Sequence, residues 1–349
     1  MKLQQAALVV TADDCTGATE AGAACADAGW TVEVVPFSAA SSSAECVVID
    51  LRSRHVPPLE ARRRTIELLP GVRHVHKIDS TLRGNWAAEL AVVVEGGRRV
   101  VLIPSHPPLG RVCIGGVVLV DGAPVAETEH GDDPRMPVRS SRPSDSLIGV
   151  ELADADALAE WITASAADVA IVDARTLDDI ERLVATALNA ENVVIAGSAS
   201  VVGAVARACS PRSTAPRLPD PLLPSPIVAV CASLHPASRQ QMAALSVAGV
   251  DVVMSPDVRG GDAEAIAFEV AGRAHRLVGE LGARSVILVG GDTAAAFIGD
   301  VPVAVLGSIG VGISLGEAQF GARRLRLAGK PGSFGAPNTL VDLVRREPQ

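Results

Sequence analysis

The stretch Ala6-Ala7-Leu8-Val9-Val10-Thr11-Ala12-Asp13-Asp14-Cys15-Thr16-Gly17-Ala18 decides the fold class. Its apolar run predicts a strand over residues 6–11, and a helical pattern over residues 16–28 follows directly after two carboxylates. An apolar run without polar alternation is typical of a strand that is covered on both faces. The stretch therefore predicts the first β-α unit of a parallel sheet.

The same β-α unit repeats along the chain. Apolar runs, many of them rich in valine and isoleucine, predict further strands over residues 32–37, 46–51, 74–78, 100–104, 169–172, 193–196, 227–231, 250–254, 285–289 and 301–306. Helical patterns between the runs cover residues 85–95, 153–163, 177–188, 238–248 and 262–281. This order predicts an α/β fold of two three-layer-like domains, each with a mostly parallel sheet, and a cleft between the domains.

The composition narrows the classes of partner. A net charge of −9 at pH 7 leaves no basic field of the kind that drives nucleic-acid binding, so we expect no nucleic-acid partner. No stretch of 18 residues lacks charged or strongly polar side chains, and the amino terminus lacks the pattern of a secretion signal. We therefore expect no membrane partner and a cytoplasmic location. The six cysteines are scattered without a CxxC pair, which argues against a disulfide framework and a structural zinc site.

Two proline-rich stretches indicate the domain organisation. Residues 211–226 carry six prolines and cannot continue a helix or a central strand, so they are predicted to link an N-terminal domain (1–210) to a C-terminal domain (227–349). Residues 121–146 form an irregular insert in the first domain, which favours a functional lid or a contact in a homo-oligomer.

Charged side chains follow the predicted strands of the first half, where the open edge of a parallel sheet binds ligands. Asp13 and Asp14 follow the first strand, and a helix N-cap role for Asp14 explains only one of these two carboxylates. Arg52 and Arg54 follow the third strand and are suited to bind a carboxylate ligand, although they also fit a solvated edge.

The densest group of polar side chains is His76-Lys77-Ile78-Asp79-Ser80-Thr81-Leu82-Arg83-Gly84-Asn85. It holds cations, a carboxylate and two hydroxyls just before a predicted helix, whose open amides would suit an anion. Asp79 is placed to accept a proton from a reacting hydroxyl.

The second half is marked by glycines at strand ends. Gly290-Gly291-Asp292-Thr293 follows one apolar run, and the glycine-rich residues 307–316 follow the next, where backbone amides can approach phosphates closely. Lys330-Pro331-Gly332-Ser333-Phe334-Gly335 adds a point charge for a triphosphate. Lysine is otherwise rare, with Lys2 and Lys77 as the other two. The chain has no GxxxxGK[ST] sequence, so it is not a P-loop enzyme.

Taken together, these segments resemble the four-carbon acid sugar kinases over nearly the whole chain. The matching motifs, in order, are Ala12-Asp13-Asp14-Cys15-Thr16-Gly17-Ala18, Lys77-Ile78-Asp79-Ser80-Thr81-Leu82-Arg83-Gly84-Asn85, Pro104 to Arg111, Asp121-Gly122-Ala123-Pro124-Val125 with Thr128, Asp133-Pro134 with Pro137-Val138, Ser233, Gly290-Gly291-Asp292-Thr293 and Lys330-Pro331-Gly332-Ser333-Phe334-Gly335. The resemblance implies an enzyme that uses ATP, with Mg²⁺ carried by the nucleotide, to phosphorylate a hydroxyl of threonate, erythronate or an oxo-tetronate.

The resemblance also implies a division of labour between the halves. The sugar acid is expected against the polar residues of the first half, which are Asp13, Asp14, Arg52, Asp79, Ser80, Thr81 and Arg83. ATP is expected against residues of the second half, which are Ser233, Gly290, Gly291, Asp292, Thr293, Lys330 and Gly332. A carboxylate must orient the attacking hydroxyl, and Asp79 and Asp13 are both candidates for this catalytic role.

Two departures from the family pattern keep alternatives open. Ala336-Pro337-Asn338 stands where acidic residues are expected, so no metal ligand is assigned. Ser105-His106 replaces small and apolar residues, and the chain is short, which suggests a kinase of a larger or non-sugar hydroxy acid as one alternative. A non-catalytic sensor of a sugar acid or a nucleotide is the other.

Overall fold

The structure is a computed structural model, and it describes residues 6–39, 42–65, 72–133, 135–212, 217–257, 262–332 and 334–345. Residues 213–216 of the predicted linker lie outside these ranges, as do Pro134 and Ser333 of the predicted motifs. Within the described ranges, no helix has the length and apolar character needed to cross a membrane.

The strands and helices are short and alternate along most of the chain. The strands of the described residues are β1 Leu8–Ala12, β2 Val32–Pro36, β3 Cys46–Asp50, β4 Arg73–Lys77, β5 Arg99–Ile103, β6 Arg111–Ile114, β7 Val117–Val120, β8 Ala123–Pro124, β9 Val150–Leu152, β10 Val169–Val172, β11 Val193–Gly197, β12 Ile227–Cys231, β13 Asp251–Met254, β14 Ser285–Val289, β15 Val303–Gly310, β16 Ile313–Phe320 and β17 Arg323–Lys330. The helices are α1 Cys15–Asp27, α2 Pro58–Arg64, α3 Trp86–Glu95, α4 Ala155–Ala164, α5 Leu177–Leu188, α6 Ala199–Cys209, α7 Pro236–Val247, α8 Ala263–Leu281, α9 Gly291–Ile298 and α10 Thr339–Val344.

The predicted α/β class with mostly parallel strands is confirmed. Every predicted strand and helix forms near its expected bounds, while helix α6, the short elements and the strands after β15 were not predicted. The large sheet has the order β13-β12-β14-β17-β16-β15-β2-β3-β1-β4-β11-β5-β10-β9, and a small antiparallel sheet has the order β6-β7-β8. In the large sheet, the strands of each half of the chain form one block. The two blocks join where β2 pairs antiparallel with β15, with Val32 opposite Val305.

The strand directions explain how the two blocks present one site. The parallel strands β12, β14 and β17 run opposite to β1, β3 and β4 because the pairings of β2 with β15, β15 with β16 and β16 with β17 are antiparallel. Neighbouring strands of a sheet are rotated by about 20–25°, so the six steps from β14 to β1 accumulate roughly 120–150°. The twist therefore turns the two opposed carboxyl edges toward each other.

Helix α1 fills the angle between the blocks. It packs against β1 to β3 and also against β15. Its small residues permit this close approach, since a Cβ on Gly22 would lie 3.0 Å from Val305 Cγ2. The helix is buried along nearly its whole length, so its first turn is fixed relative to both blocks.

The structure contradicts one expectation for the second half. The glycine-rich residues 307–316 were interpreted as a turn that approaches phosphates, but they belong to the β15–β16 hairpin. Burial alternates along β15, but the glycines carry no side chains and weaken the corresponding alternation in the sequence. The glycine turn that follows β14 instead begins helix α9, with Gly290 at a φ of 100°.

Candidate functional site

Asp13 and Asp14 share one guanidinium at the carboxyl end of β1. Arg54 donates from Nε and Nη2 to Asp13 (2.7 and 2.9 Å) and from Nη1 and Nη2 to Asp14 (2.8 and 2.9 Å). Asp14 is also the N-cap of α1, because its Oδ1 accepts a hydrogen bond from Gly17 N at 2.8 Å. Asp14 therefore caps helix α1 and also forms, with Asp13 and Arg54, the carboxylate cluster.

Burial and neighbouring acids act on the Asp13 carboxyl. Burial raises the pKa of Asp13 above its usual value, the charges of Asp14 and Glu89 add to this, and Arg54 opposes it. Gly84, with a φ of 91°, permits the close packing, since a Cβ there would lie 2.9 Å from Asp13 Oδ2. A carboxylate with a raised pKa is better matched to accepting a proton near neutral pH.

A buried chain of polar side chains lies beneath the cluster. The Thr11 hydroxyl is 2.8 Å from both His74 Nε2 and His76 Nδ1, and His76 Nε2 is 3.0 Å from Glu89 Oε2. All four residues are buried. Burial lowers the pKa of His74 well below its ordinary value. These contacts fix β1, β4 and α3 relative to one another.

Asp79 lies in a more cationic setting than Asp13. Arg83 Nε donates to Asp79 Oδ2 at 2.6 Å, and the backbone N–H of Thr81 donates to Asp79 Oδ1 at 3.1 Å. Burial alone would raise the pKa of Asp79, but the charges of Arg83, Arg54 and further cations outweigh it and hold the pKa well below its usual range. Ser80 accepts a hydrogen bond from Arg111 Nη1 at 2.9 Å.

A second acidic group faces the same edge from helix α1. Glu20 Oε2 is 3.7 Å from Lys77 Nζ, and its Oε1 is 3.5 Å from His106 Nε2. Burial would raise the pKa of Glu20, but the contact with His106 and the charge of Lys77 lower it to about 2. His106 Nδ1 is 2.6 Å from Ser200 Oγ. Glu20 therefore stays ionised and lies between the Lys77 ammonium and the His106 ring.

Arg52 was predicted to bind the substrate, but in the structure its side chain contacts the end of α9. Its guanidinium contacts the carbonyl of Gly299 and lies 3.2 Å from Asp300 Oδ1, at the carboxyl end of α9. Its backbone has a φ of 48°. Arg52 thus connects the two blocks of strands, while Arg54 occupies the carboxylate cluster.

The predicted nucleotide residues gather at the carboxyl ends of β12, β14 and β17. A Cβ on Gly332 would lie 3.3 Å from Ser233 Oγ, and a Cβ on Gly290 would lie 3.6 Å from Thr293 Oγ1. Thr293 Oγ1 accepts a hydrogen bond from the backbone of Ala232 at 2.9 Å. Glycines carry no side chains, and the first amides of a helix have no partner within the helix. These residues therefore form a cradle that fits phosphate groups.

Helix α9 brings this cradle to the carboxylate cluster. A Cβ on Gly291 would lie 2.6 Å from Asp14 Oδ2, so the start of α9 contacts the start of α1. Asp292 is also bridged from the first half, with Arg135 Nη1 at 2.5 Å and His55 Nε2 at 3.9 Å. Arg135 belongs to the irregular insert, which therefore reaches across to the other block.

Lys330 is placed behind the cradle rather than at its surface. The side chain is fully buried, its Nζ donates to the carbonyl of Pro331 at 2.7 Å, and it lies 4.4 Å from the centre of the Phe334 ring. Burial lowers the pKa of Lys330 to about 8. In this arrangement the ammonium supports the turn that carries Gly332.

Several residues at the site were not among those assigned to a ligand from the sequence. Arg54 was considered together with Arg52 as suited to bind a carboxylate, but only Arg52 was assigned to the substrate. Lys77 had a signal in the rarity of lysine, and His106 had one as a departure from the family pattern. Glu20 had none, since an acid inside a helix usually faces solvent.

The sequence and the fold were compared with known proteins. Residues 8–205 match the family model described as the sugar-binding N-terminal domain. A D-threonate kinase of Bordetella bronchiseptica is 30% identical over 396 residues, which covers 95% of this chain and 95% of that relative.

Two solved structures share the fold along nearly the whole chain. One, described as a putative tRNA synthase from Salmonella typhimurium, superposes with a TM-score of 0.76 at 18% identity and covers 98% of this chain and 99% of its own. Another, a domain of unknown function from Bordetella bronchiseptica with bound citrate, is a domain-swapped dimer with a TM-score of 0.53 at 26% identity, covering 99% of this chain and all of its own. The matched domain and the full-length relative show that this chain belongs to the four-carbon acid sugar kinase family, whose members carry the sugar-binding N-terminal domain.

Proposed function

We propose that the protein is a cytoplasmic ATP-dependent kinase that phosphorylates a hydroxyl of threonate, erythronate or an oxo-tetronate. The observation that carries the proposal is the contact between Gly291 at the start of α9 and Asp14 in the carboxylate cluster. A helix start lined by glycines suits phosphates, and a buried carboxylate suits a hydroxyl that must lose its proton. Phosphoryl transfer requires these two kinds of group to meet.

The two halves divide the substrates in this proposal. Residues 1–210 bind the sugar acid, residues 211–226 link the halves, and residues 227–349 bind ATP. The acid contacts the polar side chains of β1, β3, β4 and the loops after them. The phosphates of ATP lie against Ser233, the turn 290–293 and Gly332.

Asp13 is proposed as the base, with Asp79 as a residue that positions the acid. The pKa of Asp13 is raised, whereas that of Asp79 is held well below its usual range by Arg83 and its neighbours. In the transfer, the acceptor oxygen forms a bond to the γ-phosphorus while the bond from that phosphorus to the β-γ bridging oxygen breaks. The hydroxyl proton passes to Asp13, and ADP leaves with the bridging oxygen.

In this proposal, acidic side chains near the start of α9 bind the nucleotide's Mg²⁺. Asp292 lies in the first turn with a side chain that is 41% exposed, and Asp14 Oδ2 faces Gly291. Mg²⁺ in kinase sites is bound by one or two carboxylates together with phosphates, where it neutralises charge on the phosphates. Asp14 and Asp292 would hold it here.

A coupled assay of ADP release tests the function. Wild-type protein is offered ATP, Mg²⁺ and D-threonate, L-threonate, D-erythronate or a 3-oxo-tetronate, and we expect turnover with at least one acid. Absence of turnover with all of them would refute the proposal. Calorimetric binding of an acid or ATP without any ADP formation would point to the sensor instead.

Variants separate the two carboxylates. Asp13→Asn should reduce kcat by about 100- to 10,000-fold, the usual contribution of general base catalysis. Asp79→Asn should mainly raise KM for the acid. The reverse pattern would assign the base to Asp79.

The same assay tests how many carbon atoms the preferred substrate acid has. His106 beside Glu20 fills the edge where the family pattern has smaller side chains, which is the observation relevant to a larger or different acid. Comparing kcat/KM for four- and six-carbon acids decides between them.

The relative that forms a domain-swapped dimer also makes a homo-oligomer part of the proposal, and light scattering measures the oligomeric state.

A further inference from the structure

Arg111 is a half-buried cation at the site with unused hydrogen-bond donors. It begins β6 and donates from Nη1 to Ser80 Oγ at 2.9 Å. Its Nε is buried and has no hydrogen-bond partner in the described part of the chain. Among the described residues, no carboxylate oxygen lies within 4.0 Å of its guanidinium nitrogens.

The neighbouring cations differ from Arg111 in this respect. Arg54 uses Nε, Nη1 and Nη2 on Asp13 and Asp14. Arg83 Nε donates to Asp79, and Lys77 Nζ lies 3.7 Å from Glu20. Each of these cations already has an acidic partner from the chain, whereas a partly desolvated charge without one is unfavourable.

The surroundings of Arg111 suit the binding of an anion. Burial lowers the pKa of Arg111, which means that the guanidinium is poorly solvated and that the acids around it do not compensate fully. These acids are Asp79, which is paired with Arg83, Glu20, which faces Lys77, and Asp121. A planar guanidinium with free donors matches the two oxygens of a carboxylate.

We propose that Arg111, supported by Ser80, binds the carboxylate of the substrate acid. This inference rests on the proposed function and refines it by fixing the direction of the substrate. The carboxylate end lies at the start of β6, and the hydroxyl end extends toward Asp13 and the start of α9. The enzyme accordingly selects acids over neutral polyols of the same length.

The test compares a four-carbon acid with its uncharged alditol in wild-type, Arg111→Gln and Arg111→Lys proteins. A charge-assisted hydrogen-bonded contact is worth about 10- to 100-fold in binding. For Arg111→Gln we expect KM for the acid to rise by that factor, with kcat and KM for ATP within about twofold of wild type. The preference for acid over alditol should fall by the same factor, and Arg111→Lys should recover part of it.

Arg182→Gln is the matched control, because the side chain of that arginine forms only exposed ion pairs on α5 within the described ranges. It should leave every constant unchanged. A KM for the acid and an acid-to-alditol preference both within twofold of wild type in Arg111→Gln would overturn the inference. If Arg111→Gln does not fold, Ser80→Ala replaces it, and the same loss of acid preference is required.

The inference stays testable if no acid is phosphorylated. In that case the proposed function fails, and binding of D-threonate alone is measured by calorimetry with wild-type and Arg111→Gln proteins. Binding that is lost in the variant supports the anion site. Equal binding by the two proteins, or none by either, overturns it.

Discussion

The shared guanidinium of Arg54 provides the sharpest test of how the site is built. We consider Arg54→Met, which removes the charge and keeps a long apolar stem. The change deletes the hydrogen bonds to Asp13 and Asp14 and leaves two carboxylates next to each other, of which Asp13 is buried. The variant should therefore be much less stable than the wild type at neutral pH.

The magnitude follows from the burial of the group. Removing one partner of a buried ion pair costs about 3–5 kcal/mol, because the remaining charge is left uncompensated. Without Arg54 the pKa of Asp13 rises further, since the guanidinium is the main influence that lowers it. A carboxyl whose pKa is raised by folding stabilises the protein below its unfolded pKa and loses that effect as pH rises. The deficit of the variant should therefore shrink as the pH falls.

Urea denaturation at pH 5 and pH 8 measures this deficit. Arg182→Met serves as the control, since its exposed pairs are worth about 0–1 kcal/mol. We expect Arg54→Met to lose about 3–5 kcal/mol at pH 8 and clearly less at pH 5. A loss below about 1 kcal/mol at pH 8, or one that does not depend on pH, would refute the account of the cluster.

Three further predictions concern neighbouring groups. Burial raises the pKa of Asp50 to about 7, so the wild type should lose about 4 kcal/mol of unfolding free energy between pH 4 and pH 8. Asp50→Asn should not show this loss, and parallel pH profiles of the two proteins would contradict the prediction. The pKa of Glu20 is lowered to about 2, so Glu20→Gln should cost about 3 kcal/mol at pH 7, and the deficit should more than halve by pH 3; a constant deficit in urea titrations would contradict it. Gly291→Ala should cost about 1–3 kcal/mol in thermal unfolding because its Cβ would lie 2.6 Å from Asp14 Oδ2, whereas the open helical site of Gly272→Ala should not destabilise.

The residues that sequence reasoning located best are those that follow strands directly. Asp13, Asp79 and Gly290 stand at the carboxyl ends of apolar runs, where a parallel sheet must present its ligands. Strand identity and position are local properties, so the sequence pattern predicts them well. The same reasoning missed the β15–β16 hairpin, because its glycines resemble a phosphate-binding turn until the pairing partner is known.

The choice between neighbouring candidates required side-chain directions. Arg52 and Arg54 are separated by one residue, yet Arg52 contacts the end of α9 while Arg54 holds both carboxylates. Arg52 has a φ of 48°, a backbone conformation that strand patterns do not predict. Lys330 looked like a phosphate ligand from its motif, and its burial behind Phe334 emerged only from packing.

The sequence by itself determined the repeated β-α units, the family and most of the polar residues at the sheet edge, because these depend on local periodicity and on motifs. The tertiary structure decided which of these residues meet. The antiparallel contact of β2 with β15 reverses the second block of strands, and the accumulated twist turns its carboxyl edge toward the first. That long-range geometry places Gly291 against Asp14, and it has no signature in any single stretch of the chain.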